Sequence, residues 1–166
     1  MHKNTFVQGA LILTVAGIIV KFIGAFSRIY LSRLLGGEGI GLYQMAYPIY
    51  LLCLAVSSAG LPVAISIMVA EKNAVHDYLG GQRVFRISLM ALTATGLFFS
   101  GLLYFGAQWL IDSGIVRDPR AYWSLLALSP AILMATILAT LRGYFQGLQN
   151  MTPTAVSQIV EQLFRV

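Results

Sequence analysis

Residues 6–35 read FVQGALILTVAGIIVKFIGAFSRIYLSRLL, one long apolar helix that carries two cations, Lys21 and Arg28. Its first part, from Phe6 to Gly24, holds eleven Leu, Ile, Val and Phe residues. On a membrane-insertion scale these contribute roughly −3 to −7 kcal/mol, and a lysine near mid-membrane costs about 2.5 to 3.5 kcal/mol. The segment still inserts, but much of its margin goes to one charge. Lys21 and Arg28 are seven residues apart, which places them on one face of a 3.6-residue helix. Thr14 shares that face, and Gly17 and Gly24 border it. A face of cations and small residues suits a cavity better than lipid.

Composition points the same way. The chain is 58% hydrophobic and 10% charged, whereas a soluble domain has about 25% charged residues. This is the profile of an integral membrane protein. The net charge is +5, but Lys and Arg are scattered among apolar segments. Nucleic-acid binding needs a concentrated basic patch, so no nucleic-acid partner is expected. Cys53 is the single cysteine and lies in an apolar run. That rules out an intrachain disulfide and a cysteine metal cluster, and packing is its expected role. Lys3 ahead of an apolar run, with Ala25-Phe26-Ser27 beyond it, has the outline of a signal peptide. The run is longer than the usual 7–15 residue apolar region, which favours an uncleaved first span.

Further apolar stretches cover residues 39–70, 87–111 and 122–147, each exceeding the 17–25 residues a spanning helix needs. Pro153 signals a fifth helix from Thr154, which reaches Val166 after too few residues to span. The expected fold is therefore all-α, a polytopic membrane helix bundle of four transmembrane helices and the start of a fifth. The chain, residues 1–166, is expected to be the partial N-terminal lobe of a larger transporter, with a C-terminal lobe of the same protein missing. With a cytoplasmic N-terminus, Lys3, Lys72, Arg83, Arg86 and Arg142 fall inside and Arg33, Arg117 and Arg120 outside, the bias of the positive-inside rule. Trp109, Tyr122 and Trp123 then form an outer aromatic belt.

Several local features have two readings. The glycine-rich stretch at 36–41 matches neither phosphate-loop nor dinucleotide spacing and reads as a tight turn between helices. Residues 71–86, with Val75, Tyr78, Leu79, Val84 and Phe85, read as an interfacial segment on the inner leaflet. The second helix carries Pro48 and then Ser57-Ser58-Ala59-Gly60-Leu61-Pro62. Proline removes a helical hydrogen bond and glycine eases bending, so Ser58, Gly60 and Pro62 mark either a gating hinge or a fixed kink. Tyr43, Tyr47 and Tyr50 line a cavity or belong to an interfacial belt. Pro130 is expected to kink the fourth helix. Gly143 and Gly147 form a small-xxx-small pair that permits close helix contact, and Asn150 to Pro153 end one helix and cap the next.

No Asp or Glu lies inside the first four spans, which leaves Glu161 as the one candidate partner for Lys21. A cation in a membrane cavity invites an anionic ligand, and phosphate is the natural one. Against this stands snorkelling of Lys21, with Arg28 at the outer interface. Arg142 contacts lipid phosphate or caps carbonyls at its helix C-terminus. Glu161 and Arg165 are spaced as an i,i+4 salt bridge. Catalysis finds no support: His2 and His76 sit near ends or loops, and no nucleophile–base or metal-ligand spacing appears. Neither a metal nor a cofactor is expected. Without a phosphate loop, any driving force is an ion gradient or the membrane potential, worth about 2.3 kcal/mol per charge per 100 mV.

Residues 21–41, with their core Phe26-Ser27-Arg28-Ile29-Tyr30-Leu31-Ser32-Arg33-Leu34-Leu35-Gly36, resemble the first helix and loop of polysaccharide and lipid-linked-oligosaccharide flippases. Ser58-Ala59-Gly60-Leu61-Pro62, and above all residues 142–165, are similar to the stage V sporulation protein B branch of that MOP superfamily. The resemblance covers essentially the whole chain. It implies a MATE/MOP-like transporter of two inverted-V lobes in the bacterial cytoplasmic membrane. It also implies alternating-access flipping of undecaprenyl-pyrophosphate-linked glycan, such as the peptidoglycan precursor lipid II, in vegetative growth or sporulation. By position, Lys21 and Arg28 would engage the pyrophosphate, and the second helix would border the gate through which lipid enters. Two alternatives remain open. One is a MATE-like drug or metabolite antiporter, which would need an acidic coupling residue; the other is a non-transporting scaffold for envelope or spore assembly, in which residues 71–86 would matter most.

Overall fold

The structure, a computed structural model, describes residues 2–58 and 60–165, with side chains over 8–58 and 60–163. Ala59 of the expected hinge and the side chains of Lys3 and Arg165 lie outside the described residues. Five helices follow in order: α1 (His2–Ser58), α2 (Leu61–Ala74), α3 (Tyr78–Asp112), α4 (Ala121–Gly147) and α5 (Thr152–Arg165). Three runs are long and apolar enough to cross a membrane: Gln8–Ala74, Tyr78–Asp112 and Ala121–Gly147.

The first run has 67 residues. Straight, it would be about 100 Å long against a hydrocarbon core of about 30 Å. Two glycines divide it. Gly36 sits at φ 66°, ψ −178°, a conformation that is essentially glycine's alone. The glycine-rich turn expected over 36–41 is thus a break at one residue, and helix resumes at once. The break lies at an exposed end of the bundle, where Glu38 pairs with Arg120.

The chain reverses there, as the neighbours of α1 demonstrate. Gly9 lies against Met151 and Gly24 against Gln162, so residues 2–35 run parallel to α5. Arg142 reaches Ser157 and Glu161, so α5 is antiparallel to α4. Gly143 touches Pro62 and Gly147 touches Ser66, so α2 is parallel to α4. The two limbs of α1, residues 2–35 and 37–58, therefore have opposite senses.

The second division is at Gly60, φ 75°, which caps α2 in a left-handed conformation. The stretch read as one helix over 39–70 is thus two, α1's second limb and α2. They continue in line along α3, with Ser57 at Thr95 and Lys72 at Gly81. Of the apolar residues in the segment 71–86, Val75, Tyr78 and Leu79 are exposed, as an interfacial segment requires, while the rest is folded into the bundle. Only residues 75–77 connect α2 to α3, and Val84 and Phe85 pack inward, Phe85 with its ring centroid 4.6 Å from that of Tyr144. Asp77 makes the short turn work. Its carboxylate accepts the Gly80 N–H at 2.9 Å and pairs with Lys72 at 3.3 Å. The backbone hydrogen bond first, and Lys72 second, hold its carboxyl below the ordinary value.

The core lies where α1's second limb, α3 and α4 meet, around Ala46, Cys53, Leu103, Ala107, Leu125 and Ile132. Cys53 is buried there. Tyr50 belongs to the same core, 6% exposed, so it neither lines a cavity nor joins a belt. Its ring continues a stack with Tyr47 and Tyr43 at centroid separations of 5.9 and 5.3 Å. α4 passes through Pro130 as one continuous helix. Its buried hydroxyls are satisfied at home: Ser129, Thr136 and Thr140 each donate to a carbonyl one turn earlier. Trp109 and Trp123 are exposed at one end of the bundle, where Arg120 also pairs with Glu38 at 3.6 Å.

α4 and α2 are held closest by glycine. A Cβ at Gly143 would lie 2.6 Å from the Pro62 carbonyl oxygen, and one at Gly147 would lie 2.7 Å from that of Ser66. Gly147→Ala is expected to destabilise the intact protein by about 1–3 kcal/mol, read as a lower unfolding midpoint in detergent. Gly101→Ala, where a Cβ meets nothing within 4 Å, should leave that midpoint unchanged or raise it.

Candidate functional site

Lys21, Gly24 and Arg28 recur at intervals of three and four residues and form one stripe on α1's first limb. Gly24 is the point where α5 approaches that stripe, since a Cβ there would lie 2.9 Å from Nε2 of Gln162. Lys21 precedes this contact by three residues, about 4.5 Å of helix. Both cations are exposed, and among the described residues neither joins an ion pair. Thr14 does not contribute to the stripe's polarity, because its hydroxyl donates to the Ala10 carbonyl at 2.8 Å. Phe22 and Phe26 on the same limb are 74% and 72% exposed. Below Gly24 the α1–α5 seam opens into an apolar groove of about 410 Å³, bordered by Val15, Ile19, Val156 and Ile159.

Where α4 and α5 meet, the structure gathers a polar trio. The Arg142 Nε donates to Ser157 Oγ at 3.0 Å, and its Nη2 donates to Glu161 Oε2 at 2.6 Å. Ser157 in turn donates to the Thr154 carbonyl at 2.8 Å. The Arg142 and Glu161 side chains are 23% and 37% exposed. Two readings of the sequence change accordingly. Arg142 holds α5 through Ser157 and Glu161 and does not cap its own helix. Glu161 meets Arg142 and not Lys21. The Glu161–Arg165 pair involves a side chain outside the described residues.

Ser157 and Gln162 had not been singled out from the sequence. The available signal was the polar face of α5, with Ser157, Gln158, Glu161 and Gln162 at helical spacing, opposite Arg142 across the turn at 148–151. That turn is made tight by Gln149 at φ 57°.

Ser58, Gly60 and Pro62 surround the break between α1 and α2. The Ser58 hydroxyl donates to the Leu54 carbonyl at 2.7 Å. Pro62 stands in the first turn of α2, where its missing N–H is of no consequence. The Gly60 carbonyl accepts from Val63 and Ala64, and the Ser57 carbonyl accepts from Thr95 Oγ1 at 3.3 Å. Two carbonyls at the break are thereby engaged. The Ser57 hydroxyl is buried there, and with Thr154 it finds no partner among the described residues. No three His, Cys, Asp or Glu side chains converge among the described residues.

Residues 6–166 match the model of the polysaccharide biosynthesis protein family. The chain belongs to that family. It is 42% identical to stage V sporulation protein B of Bacillus subtilis (strain 168), over 100% of this chain and 32% of the relative. It is 31% identical to the lipid II flippase MurJ of the same organism, over 99% of this chain and 31% of the relative. An uncharacterized membrane protein, YabM, is also 31% identical, over 96% and 29% of the two chains. The chain thus spans about a third of the length of these relatives. No solved structure matches it.

The contact between α1 and α5 is open to direct measurement. In the intact protein freed of other cysteines, the pair Gly24→Cys and Gln162→Cys should cross-link with a short bis-maleimide. Gly101→Cys with Gln162→Cys should not, and cross-linking of the control pair alone would contradict the packing described.

Proposed function

We propose that this chain is part of a flippase for undecaprenyl-pyrophosphate-linked glycan, such as lipid II or another polysaccharide precursor, in the bacterial cytoplasmic membrane. Lys21 and Arg28 bind the pyrophosphate. The observation that carries this reading is an exposed stripe bearing two cations on an otherwise apolar membrane helix. A lysine facing acyl chains costs about 2.5–3.5 kcal/mol at mid-membrane. An anion in a water-filled cavity removes that cost and gains charge-assisted hydrogen bonds. The two side chains divide the work, Arg28 offering a planar fork and Lys21 a compact charge. Kinship with a protein named a lipid II flippase supports the substrate class.

In this reading a C-terminal lobe of the same protein closes the cavity over the stripe, and alternating access exposes it first to one leaflet and then to the other. The N-terminus is cytoplasmic. The Ser58–Gly60–Pro62 break in the second span is the hinge that opens the lateral gate. The rival antiporter reading lacks such support, because the carboxylate in α5 is bound to Arg142.

The test uses the intact protein in vesicles with fluorescent lipid II as cargo. Lys21→Gln and Arg28→Gln should each slow flipping at least about tenfold, since a charged hydrogen bond contributes about 1.5–3 kcal/mol. Normal flipping in both variants would refute headgroup recognition by this stripe. At Gly60 any side chain must adopt φ 75°, at a cost of about 1–2 kcal/mol. Gly60→Ala should therefore slow flipping while lipid II binding stays as in the parent, and an unaltered flipping rate would remove the hinge role.

A further inference from the structure

One end of the bundle holds a polar cavity well apart from Lys21 and Arg28. It has a volume of about 430 Å³ and lies where the connection after α2 meets the turn after α4. Asn73, His76, Tyr78 and Gln149 line it together with the last residues of the two helices, Ala74 and Gly147. A second cavity of about 210 Å³ shares Asn73 and Tyr78 with it and adds Gln82. Met151, two residues past Gln149, lies against Gly9. Lys21 is twelve residues further along α1, about 18 Å of helix. We propose that this cavity is a saccharide site that takes neutral, hydroxyl-rich sugar units. The sugars are those of the lipid-linked substrate, an assignment that rests on the flippase reading above.

Hydrogen-bonding capacity selects the ligand class. The side chains of Asn73, Gln149, Tyr78 and His76 each offer both donors and acceptors. Among the described residues no Asp, Glu, Lys or Arg lines the larger cavity. The C-terminal ends of α2 and α4 border it, and helix C-termini carry partial negative charge. A phosphate or carboxylate is disfavoured there. An ammonium group only donates, which leaves the amide N–H groups unanswered. A hydroxyl does both, donating to carbonyl oxygens and accepting from amides. Asp77, at the smaller cavity, adds no uncommitted charge, since it accepts from the Gly80 N–H and pairs with Lys72.

The lining is also held in place before any ligand arrives. His76 Nδ1 lies 3.2 Å from the Tyr78 hydroxyl oxygen, so each side chain orients the other. His76 and Gln149, one from each connection, have φ 57° and are the only non-glycine residues with positive φ among those described. Backbone of that kind gathers at ligand clamps. Tyr78 is exposed, and its ring suits the C–H face of a sugar. The volume falls within the range of about 300–1,000 Å³ usual for small-molecule sites.

Saturation-transfer NMR on the intact protein, in a detergent without sugar headgroups, tests this with N,N′-diacetylchitobiose, an uncharged disaccharide. Folding is checked by thermal unfolding. The parent should bind the disaccharide, and Asn73→Ala and Gln149→Gly should each weaken binding by about threefold or more. Glycine at 149 keeps the left-handed backbone without strain. Neither inorganic pyrophosphate nor ethanolamine should compete. The same variants should weaken binding of lipid II and leave that of undecaprenyl pyrophosphate, which has no sugar, unchanged. Absence of disaccharide binding in the parent, unchanged binding in both variants, or competition by either ion overturns the saccharide site. Loss of disaccharide binding without loss of lipid II binding overturns the lipid-linked source and leaves a site for free saccharide. Lys21→Gln should weaken binding of both lipids and spare the disaccharide. Parent-like binding of both lipids by Lys21→Gln refutes headgroup recognition by the stripe, and the disaccharide result then decides the cavity by itself.

Discussion

Two glycines on α4 set the geometry from which the rest follows. Gly143 and Gly147 bring the backbone of α2 within van der Waals range of α4. In a bilayer this closeness matters more than in water, because lipid tails are as apolar as leucine and burying apolar surface gives little drive. Packing against the bare backbone supplies dispersion contacts that lipid cannot match. Once α2 is fixed on α4, Ile65 and Val69 are buried with Leu92 of α3, and the three helices close on one another. The Gly60 break then has a fixed partner on one side. α2 is anchored, and α1's second limb meets it through a left-handed glycine with its carbonyls already engaged.

The first limb of α1 is attached differently. It reaches the bundle through α5, along an apolar seam and at Gly24. α5 in turn is tied to α4 by the four-residue turn and the Arg142–Ser157–Glu161 bonds. The first limb is thus held along α5, and α5 is held to α4 by those bonds.

Helices of this length and apolarity leave a clear record in sequence, since a membrane span needs a long uninterrupted run. α4 and the small-residue pair on it could be read directly for that reason. Breaks are harder. Residues 36–41 offer four glycines, and only Gly36 leaves helical dihedrals; composition alone does not say which of the four carries the break. Within residues 71–86 the sequence does not separate Val75, Tyr78 and Leu79, which are exposed, from Val84 and Phe85, which pack inward. The Lys21–Arg28 stripe followed from helical spacing alone. The Arg142–Glu161 bond did not, because an i,i+4 rule sees Arg165 first and cannot see across a turn whose reversal depends on Gln149 adopting a left-handed conformation.

Placement of charge distinguishes the two sets of cations. Arg142 is half-buried and provided with a hydroxyl and a carboxylate, so it is compatible with a closed, dry interface. Lys21 and Arg28 stand exposed beside Phe22 and Phe26, which belong against lipid or another helix. A cation and a phenyl ring on adjacent positions point in directions about 100° apart around the helix axis. One sector of the limb is therefore suited to hydrocarbon and the next to water or an anion, and the boundary between them is the line along which a lipid with a charged headgroup would lie.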